Sequence, residues 1–159
     1  MSSEPWAADE IVVLRAPRPG DAGILVAGRD AAWERFLAPG EDEPNPWACI
    51  VVDDEVVGWI DFDTDRTWLL PGEVNLGYNV FPAHRGQGYA SRAVRLLVQH
   101  LARCTDHHTA TLLIHPDNEA SLALARRLDF PPAGDLDGIP YFKLRCEPDL
   151  LDGGARLPS

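Results

Sequence analysis

The spacing of apolar and polar positions sets out most of the elements. From Tyr89 to Cys104, Ala90, Val94, Leu97, Leu101 and Cys104 fall on one face and Arg92, Arg95, Gln99 and Arg103 on the other, the period of an amphipathic helix. From Glu73 to Val80 the period is two: Val74, Leu76, Tyr78 and Val80 alternate with Glu73, Asn75, Gly77 and Asn79, which predicts a half-buried strand ended by Phe81-Pro82. Ala48 to Val52 and Glu55 to Phe62 are β-rich runs flanking Asp53-Asp54, the signature of a tight hairpin. Thr109 to His115 is a strand with a nearly continuous apolar centre. Pro116-Asp117-Asn118 then caps a helix over Glu119 to Leu128 that buries Leu122, Ala125 and Leu128.

Ahead of these, Ile11 to Leu14 is an opening strand, stopped by Pro17, Pro19 and Gly20. Asp21 is expected to cap a helical region carrying Ile24, Leu25, Trp33, Phe36 and Leu37, which Gly28-Arg29-Asp30 divides into two short helices. Residues 38–47 and 63–72 read as loops, and Asp137-Gly138 turns the chain into a last strand, Ile139 to Cys146. The order is strand, helices, hairpin, strand, helix, strand, helix, strand, an α/β (α+β) pattern with a mixed sheet. One domain is expected over residues 1–146, followed by an irregular tail over 147–159.

Composition narrows the class. With 159 residues, 45% hydrophobic and 25% charged, the chain can bury a core without staples. No apolar run approaches the roughly 20 residues of a membrane span, and Met1 to Glu10 lacks a signal-peptide pattern, so a cytoplasmic protein without a membrane partner is expected. Cys49, Cys104 and Cys146 are odd in number and far apart; they suggest neither a disulfide framework nor a metal site and read as small core residues. The net charge of −11 argues against a nucleic-acid partner, which needs a basic face. Residues 1–80 hold 16 acids against 5 arginines and residues 81–159 hold 9 acids against 9 basic residues, so the acidity belongs wholly to the first half.

The segment most charged with chemistry is His84-Arg85-Gly86-Gln87-Gly88-Tyr89-Ala90, between a strand and the start of the best helix. A helix N-terminus offers unpaired N–H groups and partial positive charge, and glycines let a phosphate approach the backbone. The loop lacks the Lys-Ser/Thr pair of a P-loop, and Ser91 stands where a dinucleotide fingerprint needs its third glycine. Arg85-x-x-Gly88-x-Ala90 instead resembles the Gln/Arg-x-x-Gly-x-Gly/Ala motif of the GNAT superfamily of N-acetyltransferases. The resemblance extends to Gly77-Tyr78 before Pro82, to His115-Pro116-Asp117-Asn118-Glu119-Ala120-Ser121 and to Leu128-Asp129-Phe130, and is nearest the ribosomal-protein N-terminal acetyltransferase branch. Asp129 departs from the glycine usual there; Asp tolerates a left-handed turn better than most residues.

The resemblance implies a GNAT-like domain with a mostly antiparallel twisted sheet, splayed between Glu73–Val80 and Thr109–His115. It also implies acetyl-CoA as cosubstrate and a primary amine as acceptor. By this likeness the diphosphate of coenzyme A lies on the backbone of Arg85, Gly86, Gln87, Gly88 and Ala90, helped by Ser91. The pantetheine arm follows Val80 and Phe81 and meets Asn118, which also reads as a plain helix cap. Glu73 is implied as general base and Ser121 as a group near the sulfur; the alternatives are a solvated strand-end carboxylate and a first-turn hydroxyl. Ala125 stands where many members have a tyrosine, so the acid is not carried over, and Tyr141 and His115 are weaker candidates. The acceptor is expected among Trp33, Glu34, Trp47, Trp59 and Asp61, with Glu41-Asp42-Glu43 in the loop, where acids and aromatics suit a cationic amine. The alternatives kept open are a silent acyl-CoA-binding sensor and, for assembly, a monomer or a homodimer.

Overall fold

The computed structural model describes residues 4–148. Within them the chain forms two compact units, residues 4–62 with 77–93 and residues 63–76 with 94–148. The strand over Glu73–Val80 and the helix over Tyr89–Cys104 each begin in one and end in the other.

In the first unit, β1 (Ala7–Ala8), β2 (Val13–Arg15), β3 (Ala48–Val52) and β4 (Glu55–Asp63) pair antiparallel in sequence order. The later residues of β5 (Glu73–Val80) lie beside β4. The hairpin turns through Asp53 and Asp54 at φ 51° and 64°, the two left-handed residues that match strand twist, as the Asp-Asp pair predicts. Helix α1 spans Asp21–Ala27 and α2 Ala31–Phe36, divided where Gly28-Arg29-Asp30 predicts. Leu25, Cys49, Val51, Val56 and Phe81 form the apolar cluster beneath them.

Two expectations fail in this unit. The cap of α1 is Gly20, not Asp21. Asp21 is the first helical residue, buried, and its carboxylate takes hydrogen bonds from Arg15 (2.7 Å) and the Arg18 N–H (2.8 Å). Asp21 stands one position past the cap, where its carboxylate is held by two charge-assisted bonds, from Arg15 and from the Arg18 N–H. The opening strand also starts at Val13 instead of Ile11, whose N–H bonds the Asp9 carboxylate in a turn.

In the second unit the first residues of β5 pair parallel with β6 (Thr109–Leu113), β6 pairs antiparallel with β8 (Ile139–Arg145), and β8 with β7 (Pro132–Leu136). The registered β5–β6 pairs run only from Glu73↔Thr109 to Asn75↔Thr111. Helix α3 (Tyr89–Cys104) contributes its larger part here, with Leu97 and Leu101 fully buried. Helix α4 spans Glu119–Arg127, capped by Asn118 as expected. It buries Leu124 and Ala125, while Leu122 is only half-buried. Cys104 is exposed and Gln99 buried, so the apolar face of α3 is rotated from the one read from spacing.

Strand β5 is not half-buried: Glu73, Asn75 and Asn79, expected on a wet face, are all buried. Each accepts a hydrogen bond that offsets burial, from Lys143 at Glu73, Thr111 at Asn75 and Arg85 at Asn79, although the buried Asn79 Nδ2 has no partner. β1 and β7 are additions to the predicted order. No described helix is long and apolar enough to cross a membrane. The expected tail lies outside the described residues from position 149 onward.

Candidate active site

A single 3-10 turn over Pro82–His84 links β5 to the glycine loop. The loop is held by Arg85, whose side chain turns back into the protein. Its Nε donates to the Val80 carbonyl (2.7 Å), Nη1 to Asp30 (2.7 Å), and Nη2 to Asp30 (3.2 Å) and to Asn79 Oδ1 (3.1 Å). Asp30 also caps α2 by accepting the Trp33 N–H at 3.0 Å. The hydrogen bond from Arg85, aided by that N–H and opposed by burial, holds the Asp30 carboxyl below its ordinary value. Arg85 is therefore a clamp on the loop, and the backbone remains to meet a ligand.

Gly86 and Gly88 sit at φ 78° and 82°, and a Cβ built on either would meet nothing within 4 Å. The left-handed backbone at both glycines turns the loop tightly, with open space on the side where a side chain would stand. The Arg92 N–H bonds the Gly88 carbonyl at 3.1 Å, and the N–H groups ahead of it have no acceptor inside α3. A tight glycine turn followed by a helix N-terminus is a backbone that can accept a diphosphate. Gln87 is exposed and Ala90 half-buried, whereas Ser91, Val80 and Phe81 are buried.

In the second unit, Glu73 opens β5 with 7% exposure. One carboxylate oxygen accepts the Leu70 N–H at 3.0 Å and the other accepts Lys143 Nζ at 2.8 Å. Burial pushes this carboxyl up, but the Lys143 hydrogen bond, the Leu70 N–H and the Lys143 charge outweigh it and leave the value lowered. The result is an ionised carboxylate in a fixed place. Lys143, the chain's only lysine, was not among the predicted site residues. Its place on β8, opposite Thr111 of β6, delivers it, and no local spacing signals that.

Asn118 Oδ1 accepts the Ser121 N–H at 3.3 Å, so the cap reading of Asn118 is realised, and Ser121 lies within the first turn of α4, half-buried. His115 Nδ1 accepts the Asp117 N–H at 3.0 Å and serves the turn before that cap. Tyr141 packs against Trp68 at 5.9 Å, the packed strand aromatic the sequence suggests.

A cavity of about 210 Å³ opens in the first unit between α1, α2, the following loop and β4; Leu25, Trp33, Leu37, Trp59 and Asp61 are among its lining. Of the expected acceptor residues it gathers Trp33, Trp59, Asp61 and, from the loop, Glu41, but not Asp42 or Glu43. Glu34 is exposed and not part of the lining. Trp47 is also outside it, stacked on Trp6 at 5.7 Å and edge-on to Phe62 at 5.9 Å; its N–H donates to Asp61 Oδ1 at 3.0 Å, so it positions the carboxylate instead. Arg29, read from the sequence only as part of a helix break, also lines the cavity.

A strand, a clamped glycine loop and a helix N-terminus make a backbone that can take a diphosphate, and comparison with known proteins gives the class. The family model described as "Acetyltransferase (GNAT) domain" matches residues 6–131. The chain belongs to the GNAT acetyltransferase family and is an acetyl-CoA-dependent N-acetyltransferase. Among solved structures it is similar to RimL, a ribosomal L7/L12 alpha-N-protein acetyltransferase in complex with coenzyme A. That match has a TM-score of 0.76 and 21% identity and covers 92% of this chain and 100% of the other. It is also similar to the GNAT-family acetyltransferase of Bacillus anthracis (TM-score 0.74, 13% identity, 87% and 97% covered). Mycobacterium smegmatis RimJ in complex with CoA-disulfide matches with a TM-score of 0.68 and 18% identity, with 89% and 83% covered. No curated protein matches the sequence.

Proposed function

We propose that this N-acetyltransferase acts on a small primary amine, or on the terminal amine of a polypeptide, which enters the Trp33–Trp59–Asp61 cavity as a cation and is acetylated by direct attack on the thioester. The observation that carries the reading is the cavity itself: two indole walls and two acidic residues, Glu41 and Asp61, around about 210 Å³. The cavity opens to solvent, so it receives the amine-bearing end of an acceptor and its volume does not limit what lies beyond. Similarity to an alpha-N-protein acetyltransferase fold supports a peptide terminus as one member of this class.

On the donor side, the amides of residues 86–90 receive the diphosphate and Asn118, beyond its cap bond, meets the pantetheine arm. Glu73 takes the proton of the attacking amine, directly or through water; as an ionised carboxylate it has lone pairs beyond the two bonds it already accepts. The leaving thiolate takes up the second proton that the nitrogen sheds on becoming an amide, passed through the Ser121 hydroxyl, which ends unchanged.

Thiol release measured across a panel of primary amines tests this. Asp61→Asn keeps an acceptor for the Trp47 and Phe62 N–H groups but removes the charge. It should raise KM for the preferred amine about tenfold, a loss of about 1.4 kcal/mol. An Asp61→Asn enzyme with unchanged kcat/KM for every amine would overturn the assignment, as would coenzyme A binding with thiol release by no amine.

A further inference from the structure

The same cavity holds a cation of its own. The Arg29 guanidinium lies over the Trp33 ring, 4.2 Å from its centroid, and Nη2 donates to the Glu41 carbonyl at 2.7 Å. Gly40 closes over the pair: a Cβ there would fall 2.7 Å from Arg29 Nη2 and 2.6 Å from Trp33 Cζ2. Those contacts fix the guanidinium in place. They do not neutralise it, since among the described residues Arg29 makes no ion pair. Its sequence neighbour Asp30 is committed to Arg85, and the Asp61 carboxylate of the same cavity accepts the N–H groups of Trp47 and Phe62.

An arginine presents five N–H donors in a planar fork, and here one is used by the Glu41 carbonyl. The group that matches the remaining fork is a carboxylate, bound in two parallel hydrogen bonds. We infer that the acceptor is an aminocarboxylate: its carboxylate sits on Arg29 and its amine lies toward Asp61, with Trp33 and Trp59 against the carbon frame between. The inference rests on the reading of this cavity as the acceptor site and narrows it from amines in general to amines bearing an anion. It also explains how an enzyme of net charge −11 would admit a carboxylate. Distant surface charges are screened over about 10 Å, whereas a guanidinium at contact is not.

Two sources supply this chemistry, a free amino acid and a peptide terminus followed by an acidic residue. The test compares alanine with alaninamide and the dipeptide amide Ala-Glu with Ala-Gln, following acetyl transfer by thiol release and binding by the shift in melting temperature. The carboxylate member of at least one pair should have a kcat/KM at least tenfold higher, carried by KM, and the pair that discriminates identifies the source. Arg29→Gln should bring that ratio to about one, and Arg29→Lys, which keeps the charge but loses the fork, should leave an intermediate ratio. Arg29→Lys also guards against a folding defect, since it retains the cation over Trp33. A preference that survives in Arg29→Gln, or no preference in either pair, would overturn the inference while acetyl transfer itself stands. Arg29-dependent stabilisation by a carboxylate with no transfer to it would do the reverse, keeping the anion site and overturning the acceptor reading. No stabilisation and no transfer with any probe would overturn both.

Discussion

Glu73 and Lys143 show how two residues far apart in the chain define one chemical group. Buried alone, Glu73 would hold its proton more tightly; with Lys143 at 2.8 Å it is ionised. Glu73→Gln keeps the shape but cannot accept a proton, so kcat should fall at least tenfold while KM for acetyl-CoA changes little, measured by steady-state thiol release. Lys143→Met should destabilise by about 2 kcal/mol in urea unfolding, less than the roughly 3–5 of a wholly buried pair. The discount follows from the 28% exposure that the lysine side chain keeps. The pH dependence has a definite sign. Because the folded value lies below the ordinary 4.5, the pair's contribution is complete above that pH and is lost as pH falls through the lowered folded value. The stability gap between wild type and Lys143→Met should therefore narrow below pH 4.5 and stay constant from pH 6 to 7.

At the scale of elements, the loop is set by a bond to a helix cap. Asp30 serves the start of α2 and the Arg85 guanidinium together, so α2 and the glycine loop are tied through one carboxylate. Arg85→Lys retains charge but cannot reach Val80, Asn79 and both oxygens of Asp30 in one plane. It should raise KM for acetyl-CoA about tenfold and leave kcat within about twofold, measured at saturating amine. The turn after α4 is set by Asp129 at φ 57°, as its place in the Leu-Asp-Phe segment suggests. Asp129→Gly should stabilise the protein by about 1 kcal/mol in the same unfolding assay, because glycine alone adopts that backbone without steric cost.

The elements legible in the sequence are those with a strong local pattern. Helix α3 matches its apolar spacing in both bounds, β5 is bounded where its alternation begins and ends, and the hairpin turns on its two aspartates. Strand β7 was not legible: Pro132, Ala133, Gly134 and Asp135 are exposed and carry no alternation, and the segment is a strand because β8 pairs with it across a register shift. β1, two residues long, has the same origin in its pairing with β2. The buried second face of β5 was missed because alternation records side-chain polarity, not whether a partner waits on the polar side.

For the whole molecule the cysteines give a compact test. Cys49 and Cys146 are buried, and burial pushes their thiols up to about 12 and 11, helped at Cys49 by the nearby Asp21 charge; Cys104 is exposed. One thiol per chain should react promptly with an aromatic disulfide reagent in native buffer and three in denaturant. Two or more prompt thiols in the native protein would contradict the packing around β3 or after β8. The charge count reads differently at this scale too. The acids of the first half include Asp21 and Asp30, which are spent on internal pairs with Arg15 and Arg85 and do not face a substrate.

What the sequence by itself determined is the chemistry that depends on neighbours within a few residues. The helix and strand periods, the Asn118 and Asp30 caps, the Asp-Asp and Asp129 turns and the Arg-x-x-Gly-x-Ala loop are all short-range, because a backbone turn or cap is closed by residues three or four apart. Tertiary structure alone decided which distant groups share a charge or a cavity. It brought Lys143 to Glu73 across 70 positions and Arg85 to Asp30 across 55, and it placed Arg29 over Trp33 in the cavity that Trp59 and Asp61 also line. Those meetings are set by strand pairing and helix packing, which bring together residues that no local spacing connects.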